Sequence, residues 1–581
     1  MSSPVRSLVK LSFHQMPLRY LAQFGAMATT KKTLQHVDSE FHIDATSHSG
    51  AASANTPHSD ASQVHTDGPG HAGGEANHKD RRLPFLGGLL FGLGVLSISC
   101  GSGSSSGNGP SGAMTPSPQL ALPTTSVVLG PAAGTTGAAL ATVTVGSSIG
   151  WTASTTTSWI HLTDTNGTTA ALGSVVRFTY DANDDQTRQG SISFQASGFI
   201  GTLCVTQAGL GYEAAIPPLT TLTPDAEHSN SEPYSLGVDI AGNVYYATTV
   251  LRDELGAFAL EERTAATGST STIQMQGPSA CPNYLGGILA SVVNESGDIF
   301  MSTQNCAAYY GSAMVWSRAS QQTTLLAGGG VAFQPYFATD WHGSDYVEIC
   351  DGTLPWLPCQ ASTTYRYDGA GLTQLAATTT PSGFAASGFV ADTNGNLFLS
   401  GNAPGAVTYE LNPASAQFSA LPALPMPSDF SIKGLALDGS GNFYLFVSDP
   451  FYAPNDYIAQ WNPSTGQLTN LSSSLGASAN LWAVRDDGVG NIYLMTDLGS
   501  IKKFTPAFVN TAPVMATEAA GAGDLPPVLP TSTTFMATSD SSWLTITGQV
   551  NGIVTYSYTA APAARTAHIS ILNKTIEVSQ P

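Results

Sequence analysis

The chain alternates apolar and polar residues over short runs bounded by Gly, Pro, Asn and Asp, which is typical of β-strands and turns. From residue 120 onward, no segment shows a long helical period. One pattern recurs at a spacing near 50 residues: Asp or Asn, two variable residues, Gly, a small polar residue, and an apolar–aromatic–apolar triplet. Its six copies start 55, 46, 52, 46 and 49 residues apart, at Asp239, Asn294, Asp340, Asp392, Asp438 and Asp487.

This pattern predicts a tight turn between two strands. Glycine tolerates the positive φ that such a turn requires, and the Asp side chain can bond the backbone that follows it. A second strand pair follows most copies, as in 409–418 and 458–468. Two hairpins per period make a four-stranded sheet, and six such sheets predict a six-bladed β-propeller over residues 212–510.

The copies resemble NHL repeats in the form D-x-x-G-N followed by apolar and aromatic residues. The resemblance covers residues 212–510 and implies that the Asp and Gly of each copy are structural rather than catalytic. The third copy departs from the pattern and carries the loop between Cys350 and Cys359.

The segments 121–209 and 511–581 share one order of short motifs, namely Ser-Trp-Ile or Ser-Trp-Leu, a strand that begins with Arg, and a final Val-x-Gln. This order is similar to the BACON family of Ig-like domains, which implies two small β-sandwiches and a glycan-binding role. Trp159 and Trp543 are interpreted as core residues, because one buried tryptophan per sandwich is common.

The N-terminal part predicts a tail and an export signal. Residues 1–82 hold eight of the twelve histidines in a Ser-, Ala- and Gly-rich context typical of disorder. An uncharged run, residues 83–99, then precedes Cys100 and a Gly/Ser tether over 101–120, and the junction resembles a bacterial lipobox. We expect lipidation of Cys100, although Ser97 stands where that motif prefers Leu. An uncleaved signal anchor and an upstream mis-assigned start, with residues 1–82 untranslated, stay open.

The other cysteines fit export, where disulfides persist. We expect two disulfides among Cys281, Cys306, Cys350 and Cys359, paired in that order, and a buried free thiol at Cys204. Their spacings match no zinc site.

The net charge of the chain limits the classes of partner that it can bind. Only 10% of residues are charged and the net charge is −20. After residue 82 there are 12 basic and 33 acidic residues, a net charge of −21. We therefore expect no nucleic acid as a partner, because nucleic-acid binders carry a basic face.

Catalytic motifs are lacking: there is no nucleophile elbow, zinc-protease helix or phosphate loop. Trp341, Tyr346 and Trp356, with His342, cluster in sequence around the irregular third repeat and are the candidate ligand-binding aromatics. A satellite core beneath that loop is the alternative that we favour.

The sequence as a whole predicts an all-β, exported and lipid-anchored envelope protein, at the outer membrane, cell surface or periplasm. It would bind a polysaccharide or a surface protein. One alternative is a propeller enzyme of the lactonase or lyase type, with a divalent cation in its channel. The other is a purely structural surface protein. No cofactor is predicted, but a structural or catalytic cation in the channel stays open.

Overall fold

The computed structural model describes residues 120–581 except 123–124, 144–148, 170–171, 197–198, 224–234, 249–258, 276–287, 305–310, 329–333, 352–360, 376–383, 385, 402–406, 416, 428–429, 439–440, 449–455, 472–480 and 497–498. Every regular element in this part is a β-strand, so the all-β prediction is confirmed. None of the described segments forms a helix long and apolar enough to span a bilayer. The predicted tail, the export segment, Cys100 and most of the tether lie outside the described residues.

The first nine strands form two sheets around one core, here called the first sandwich. They are β1 (Leu120–Ala121), β2 (Ser126–Leu129), β3 (Gly134–Val143), β4 (Gly150–Ser154), β5 (Ile160–Leu162), β6 (Asn166–Thr168), β7 (Ser174–Tyr180), β8 (Arg188–Ala196) and β9 (Phe199–Gln207). The sheet orders are β1-β3-β7-β5 and β2-β9-β8-β4-β6, with β2 parallel to β9. Alternate residues of β8 and β9, such as Phe194 and Val205, are fully buried in the core between the sheets.

Six four-stranded sheets follow within the described residues. After β10 (Tyr212–Ala215) and β11 (Thr220–Thr223), the first three sheets are β12 (Leu236–Val238), β13 (Val244–Thr248), β14 (Ala259–Arg263), β15 (Thr270–Gln274); β16 (Ile288–Val293), β17 (Ile299–Gln304), β18 (Gly311–Ser317), β19 (Gln322–Gly328); and β20 (Gln334–Thr339), β21 (Asp345–Asp351), β22 (Ala361–Tyr367), β23 (Leu372–Gln374). The next two are β24 (Ala386–Ala391), β25 (Leu397–Gly401), β26 (Thr408–Asn412), β27 (Gln417–Ala420); and β28 (Ser431–Leu437), β29 (Phe443–Ser448), β30 (Tyr457–Asn462), β31 (Gln467–Asn470). The last consists of β32 (Leu481–Asp486), β33 (Ile492–Thr496) and β34 (Ile501–Phe504), with β11 as its fourth strand.

The first strands of successive sheets (β12, β16, β20, β24, β28 and β32) pack against one another in a closed ring, since β32 also contacts β12. We call them the inner strands. The arrangement is propeller-like, and β11 closes it by joining the N-terminal side of the ring to the last sheet.

The repeated turns occupy the end of each inner strand. In all six copies, Oδ1 of the first residue accepts a bond of 2.9–3.1 Å from the backbone N–H four residues later. The glycine of each copy has a φ of +75° to +97°, a region that favours glycine. The prediction that these residues are structural is confirmed. We call this side of the ring the turn end, and the side where the inner strands begin the loop end.

The remaining strands form the second sandwich. They are β35 (Ala507–Asn510), which pairs with β10, then β36 (Val514–Met515), β37 (Gly521–Asp524), β38 (Ala537–Ser539), β39 (Leu544–Val550), β40 (Ile553–Tyr558), β41 (Arg565–Ile571) and β42 (Lys574–Gln580). Its sheets run β36-β42-β41-β38 and β37-β40-β39. Strand β36 lies parallel to β42, just as β2 lies parallel to β9 in the first sandwich.

The two sandwiches also share one side-chain arrangement. In each, an Arg guanidinium lies over a Trp ring and its Nε donates to the side-chain oxygen of a buried Gln. The first set, with 4.5 Å from guanidinium to ring centroid and a 2.9 Å bond, is Arg188, Trp159 and Gln207. In the second set, the guanidinium lies 4.2 Å from the ring centroid and the hydrogen bond is 2.9 Å long; its members are Arg565, Trp543 and Gln580. Both tryptophans pack against their cores, as predicted.

Candidate functional site

The first sandwich covers the turn end of the ring. Val175 of β7 lies in one buried cluster with Ile240 and Trp341, which belong to two of the repeated turns. The Leu172 N–H donates to the carbonyl of Glu295 at 3.1 Å. Because these partners all belong to turns, this end of the ring is a contact surface between two parts of the chain.

A charged cluster fixes this contact at its edge. Asp164 accepts bonds from the backbone N–H of Arg177 at 2.8 Å and from its Nε and Nη2 at 2.9 Å each. The Nη1 of Arg177 reaches across to the carbonyl of Thr393 at 2.9 Å, and His342 Nε2 lies 3.6 Å from Asp164 Oδ1. Burial alone would raise the pKa of Asp164, but the bonds from Arg177 and the nearby His342 hold it below its ordinary value.

Trp341 closes the central channel at the turn end. Its backbone has a φ of +56° and its side chain is 4% exposed. Beneath it lies a cavity of about 30 Å³ to which every inner strand contributes; its lining includes Val238, Val292, Phe337, Phe389, Leu435 and Arg485. The lining of this narrow part of the channel, here called the waist, is mostly apolar, and its polar members are Thr339, Arg485 and Asp486.

Arg485 is incompletely bonded. Its Nη1 donates to the carbonyl of Val484 at 2.9 Å, while its Nε is buried and has no hydrogen-bond partner among the described residues. Burial lowers the pKa of Arg485 from its ordinary value, but a guanidinium stays charged at neutral pH. A charged group with an unpaired buried donor is costly in an apolar cavity.

Asp486 is also affected by burial. Desolvation, with the negative charge of Asp487 added, raises the pKa of Asp486 to about 7. Its Oδ1 accepts a long bond of 3.4 Å from the Leu437 N–H. Asp486 therefore carries only part of a negative charge near neutral pH.

On the same strand, Trp482 lies three residues before Arg485, toward the loop end. It is 49% exposed and is the one strongly exposed tryptophan among the residues that the structure describes. A β-bulge between Leu481 and Ala483 disturbs the pairing of β32 with β33 at this residue. Bulges re-aim side chains and are common next to functional sites. Bulges stand at the corresponding place of three further inner strands, β16, β24 and β28.

The predicted aromatic cluster is not assembled on the surface. Trp341 and Tyr346 are each 4% exposed and lie toward the turn end. Both are therefore buried, as the core interpretation required, but Trp341 packs against Val175 of the first sandwich. Trp356 lies outside the described residues, as do Cys281, Cys306, Cys359 and the side chain of Cys350. His342 faces Asp164 of the first sandwich.

Sequence reasoning missed Trp482 and Arg485, although one signal was available. Two residues before the first residue of each repeat, the copies have Gly237, Val292, Ala338, Val390, Ala436 and Arg485. Five of the six residues at this position are small and apolar, so the charged Arg485 distinguishes the last copy from the others.

A second cavity, of about 190 Å³, lies near the turn end and is lined in part by Asp392, Asp438, Asp486 and Glu410. Asp392 and Asp438 are occupied in their turns, where each bonds the Asn four residues later. Within the described part of the chain, no group of three His, Cys, Asp or Glu side chains is arranged to hold a metal.

Cys204 is disulfide-bonded, so the prediction of a free buried thiol there is wrong. It is only half-buried, because it lies on β9 between the core residues Leu203 and Val205 and points away from the core. The chain has six cysteines. Lipidation of Cys100 would leave five, too few for Cys204 and both predicted loop bridges to be paired.

Comparison with known proteins gives one family match. Residues 150–208 match the family model described as "BACON: Putative binding domain, N-terminal". The first sandwich contains a BACON domain. The match covers β4 to β9 of this BACON domain and includes Trp159, Arg188 and Gln207, whereas β1 to β3 precede it.

Among solved structures, one similar to this chain is a DUF4623 family protein from Bacteroides eggerthii, with 9% identity and a TM-score of 0.33 over 64% of this chain and 90% of that one. Another is an α-L-arabinanase from Penicillium chrysogenum complexed with arabinobiose. It has 10% identity and a TM-score of 0.33, and the match covers 50% of this chain and 98% of that one. A third is an oligogalacturonate lyase in complex with manganese. It has 12% identity and a TM-score of 0.31, and the match covers 51% of this chain and 96% of that one. Likenesses at this level carry no functional argument. A search of curated proteins gave no match.

Proposed function

We propose that this chain is an exported cell-envelope protein that binds a glycan at the loop end of a six-bladed, NHL-type propeller flanked by two BACON-type, Ig-like sandwiches. One observation carries the choice of surface. The turn end is contacted by the first sandwich, and Trp341 closes the channel there, whereas Trp482 is exposed on the inner strand β32 toward the loop end.

The chemistry of Trp482 supports a sugar ligand. An exposed indole on a strand offers a rigid apolar face at low cost in conformational entropy, and aromatic side chains with a polar edge are favoured at binding surfaces. Because β32 is an inner strand of the ring, Trp482 is held by the scaffold rather than by a loop tip. The BACON domain supports a binding role for the chain as a whole.

Export is supported by the disulfide at Cys204, since disulfides form and persist in oxidising compartments. The net charge of −21 after residue 82 suits a soluble exported portion and argues against nucleic acid as partner. We propose attachment to the membrane through the segment 83–100, either as an uncleaved anchor or through a lipid on Cys100.

A glycan array probed with the full chain tests the proposal. We expect binding to at least one glycan class, and a loss of at least tenfold in affinity for Trp482→Ala. Met536→Ala is the control, because Met536 is a large apolar side chain that is 78% exposed and belongs to the second sandwich, not to the ring. Equal loss in both variants, or no glycan bound by the wild-type chain, would contradict the proposed function.

A further inference from the structure

We propose that the channel waist beside Arg485 binds a carboxylate, so that the ligand taken up at the loop end is an acidic oligosaccharide. This rests on the proposed function, because it names the class of glycan. Its basis is the placement of Arg485 in the waist, three residues from Trp482 on the same strand.

Five inner strands contribute mostly aliphatic, aromatic or small side chains to the waist, with Thr339 of β20 as a polar member. Strand β32 contributes the charged residues Arg485 and Asp486. A guanidinium has five donors in a planar fork. Arg485 uses one nitrogen on the neighbouring Val484 carbonyl, while its buried Nε donates to nothing. An unused, desolvated donor that lines a cavity is a binding element without its acceptor.

Asp486 also lines this cavity, and its charge interacts with that of Arg485. However, no hydrogen bond within the described residues joins the Arg485 guanidinium to a carboxylate. Asp486 is instead bonded to the backbone of the adjacent inner strand β28, through the Leu437 N–H. Because Asp486 is only partly ionised near neutral pH, it neutralises the charge of Arg485 only in part.

A carboxylate fits the available space and geometry. A cavity of about 30 Å³ has room for about two water-sized groups. Carboxylates pair with guanidinium forks through two parallel, charge-assisted bonds. Three residues of strand put Trp482 about 10 Å from Arg485. A short oligosaccharide could thus stack one ring on Trp482 while the acid group of another reaches Arg485.

Calorimetric titration of the full chain with two probes of equal length tests this. One is an oligomer of a uronic acid, the other a neutral hexose oligomer. We expect the acidic probe to bind more tightly and with an affinity that falls as salt rises. Arg485→Gln should lower affinity for the acidic probe 10- to 100-fold and leave the neutral probe within twofold, whereas Trp482→Ala should weaken both.

Arg485→Lys provides a second variant, because lysine keeps the charge but lacks the planar fork. Its affinity for the acidic probe should fall at least fivefold. This variant tests the role of the guanidinium fork even if Arg485→Gln fails to fold. Equal affinity of wild type and both Arg485 variants for the acidic probe would overturn the inference. Trp482-dependent binding of the neutral probe with no preference for the acid would overturn it while the proposed function stands. No binding of either probe, nor of any other glycan, would overturn both.

Discussion

Gly488 lies directly against the Trp341 ring: a Cβ atom built on the glycine would stand 2.6 Å from both Cγ and Nε1 of the indole. The glycine also has a φ of +71°. The turn of the last repeat is therefore shaped to admit the side chain that closes the channel. Only a residue without a Cβ permits this contact.

We expect Gly488→Ala to destabilise the chain by more than its backbone strain alone. Gly441 is the matched control, because it has a φ of +75° and nothing within 4 Å of an added Cβ. Gly441→Ala should cost about 1–2 kcal/mol for the left-handed backbone. Gly488→Ala should cost a further ~1–3 kcal/mol for overpacking. Urea unfolding measures both, and equal losses would contradict a tight seat for Trp341.

The clamp between the first sandwich and the ring depends on Asp164. Asp164→Asn removes the charge that pairs with Arg177 and faces His342, so we expect faster hydrogen exchange in residues 172–177. The control is Asp181→Asn, because Asp181 pairs with His161 at 3.0 Å where both side chains are more than half exposed. Such exposed pairs contribute little. Unchanged exchange in Asp164→Asn would show that apolar packing alone holds the two parts together.

Buried carboxyls make stability depend on pH. Burial raises the pKa of Glu348 from 4.5 to about 7, and that of Asp345 from 3.8 to about 7. The folded chain thus holds these protons more tightly than the unfolded chain does. Stability is expected to fall as pH rises from about 4.5 to 7, because ionisation is then easier in the unfolded state.

Glu348→Gln should flatten this dependence, since the fully buried Glu348 then no longer titrates. The removed contribution is on the order of 3 kcal/mol between pH 4.5 and 7. Urea midpoints at pH 5 and pH 7.5 measure it, with the exposed Glu577→Gln as control. Midpoints that rise with pH, or a wild-type slope in Glu348→Gln, would refute this account of the buried carboxyls.

The sequence predicted the all-β fold and the repeated turns, because the Asp-x-x-Gly geometry is local. A turn needs only its own side-chain oxygen, as at Asp438, and a residue that accepts a positive φ, as at Gly441. The burial of Trp341 could not be predicted in this way. It depends on Val175, more than 160 positions away in the chain, and nothing near Trp341 in sequence indicates that a second module covers it.

The candidate site was hidden for a similar reason. The waist combines residues from all six inner strands, which are distant in sequence, so the residues next to Arg485 in the chain do not show that it lines a cavity. The exposure of Trp482 could not be predicted from its sequence, because aromatic residues in strands are usually core, as Trp316 and Trp461 are here.

Disulfide mapping tests how the chain is attached to the membrane. Cys204 is disulfide-bonded, and the chain has six cysteines. If both predicted loop bridges form, Cys100 is the cysteine that remains, and we expect Cys204 to pair with it.

Peptide mass spectrometry under non-reducing conditions should therefore show a Cys100–Cys204 link and an unmodified segment 83–99 as the membrane anchor. A diacylglyceryl group on Cys100, with Cys204 linked to a cysteine of the ring, would instead establish the lipid anchor and remove one predicted loop bridge.

Hydrogen exchange of the full chain, measured with and without a glycan identified on the array, tests most directly where the ligand binds. The account predicts slower exchange in residues 481–486, which contain Trp482 and Arg485, and unchanged exchange in residues 172–177 of the first sandwich. Protection confined to the sandwich, with residues 481–486 unaffected, would contradict a binding site at the loop end of the ring.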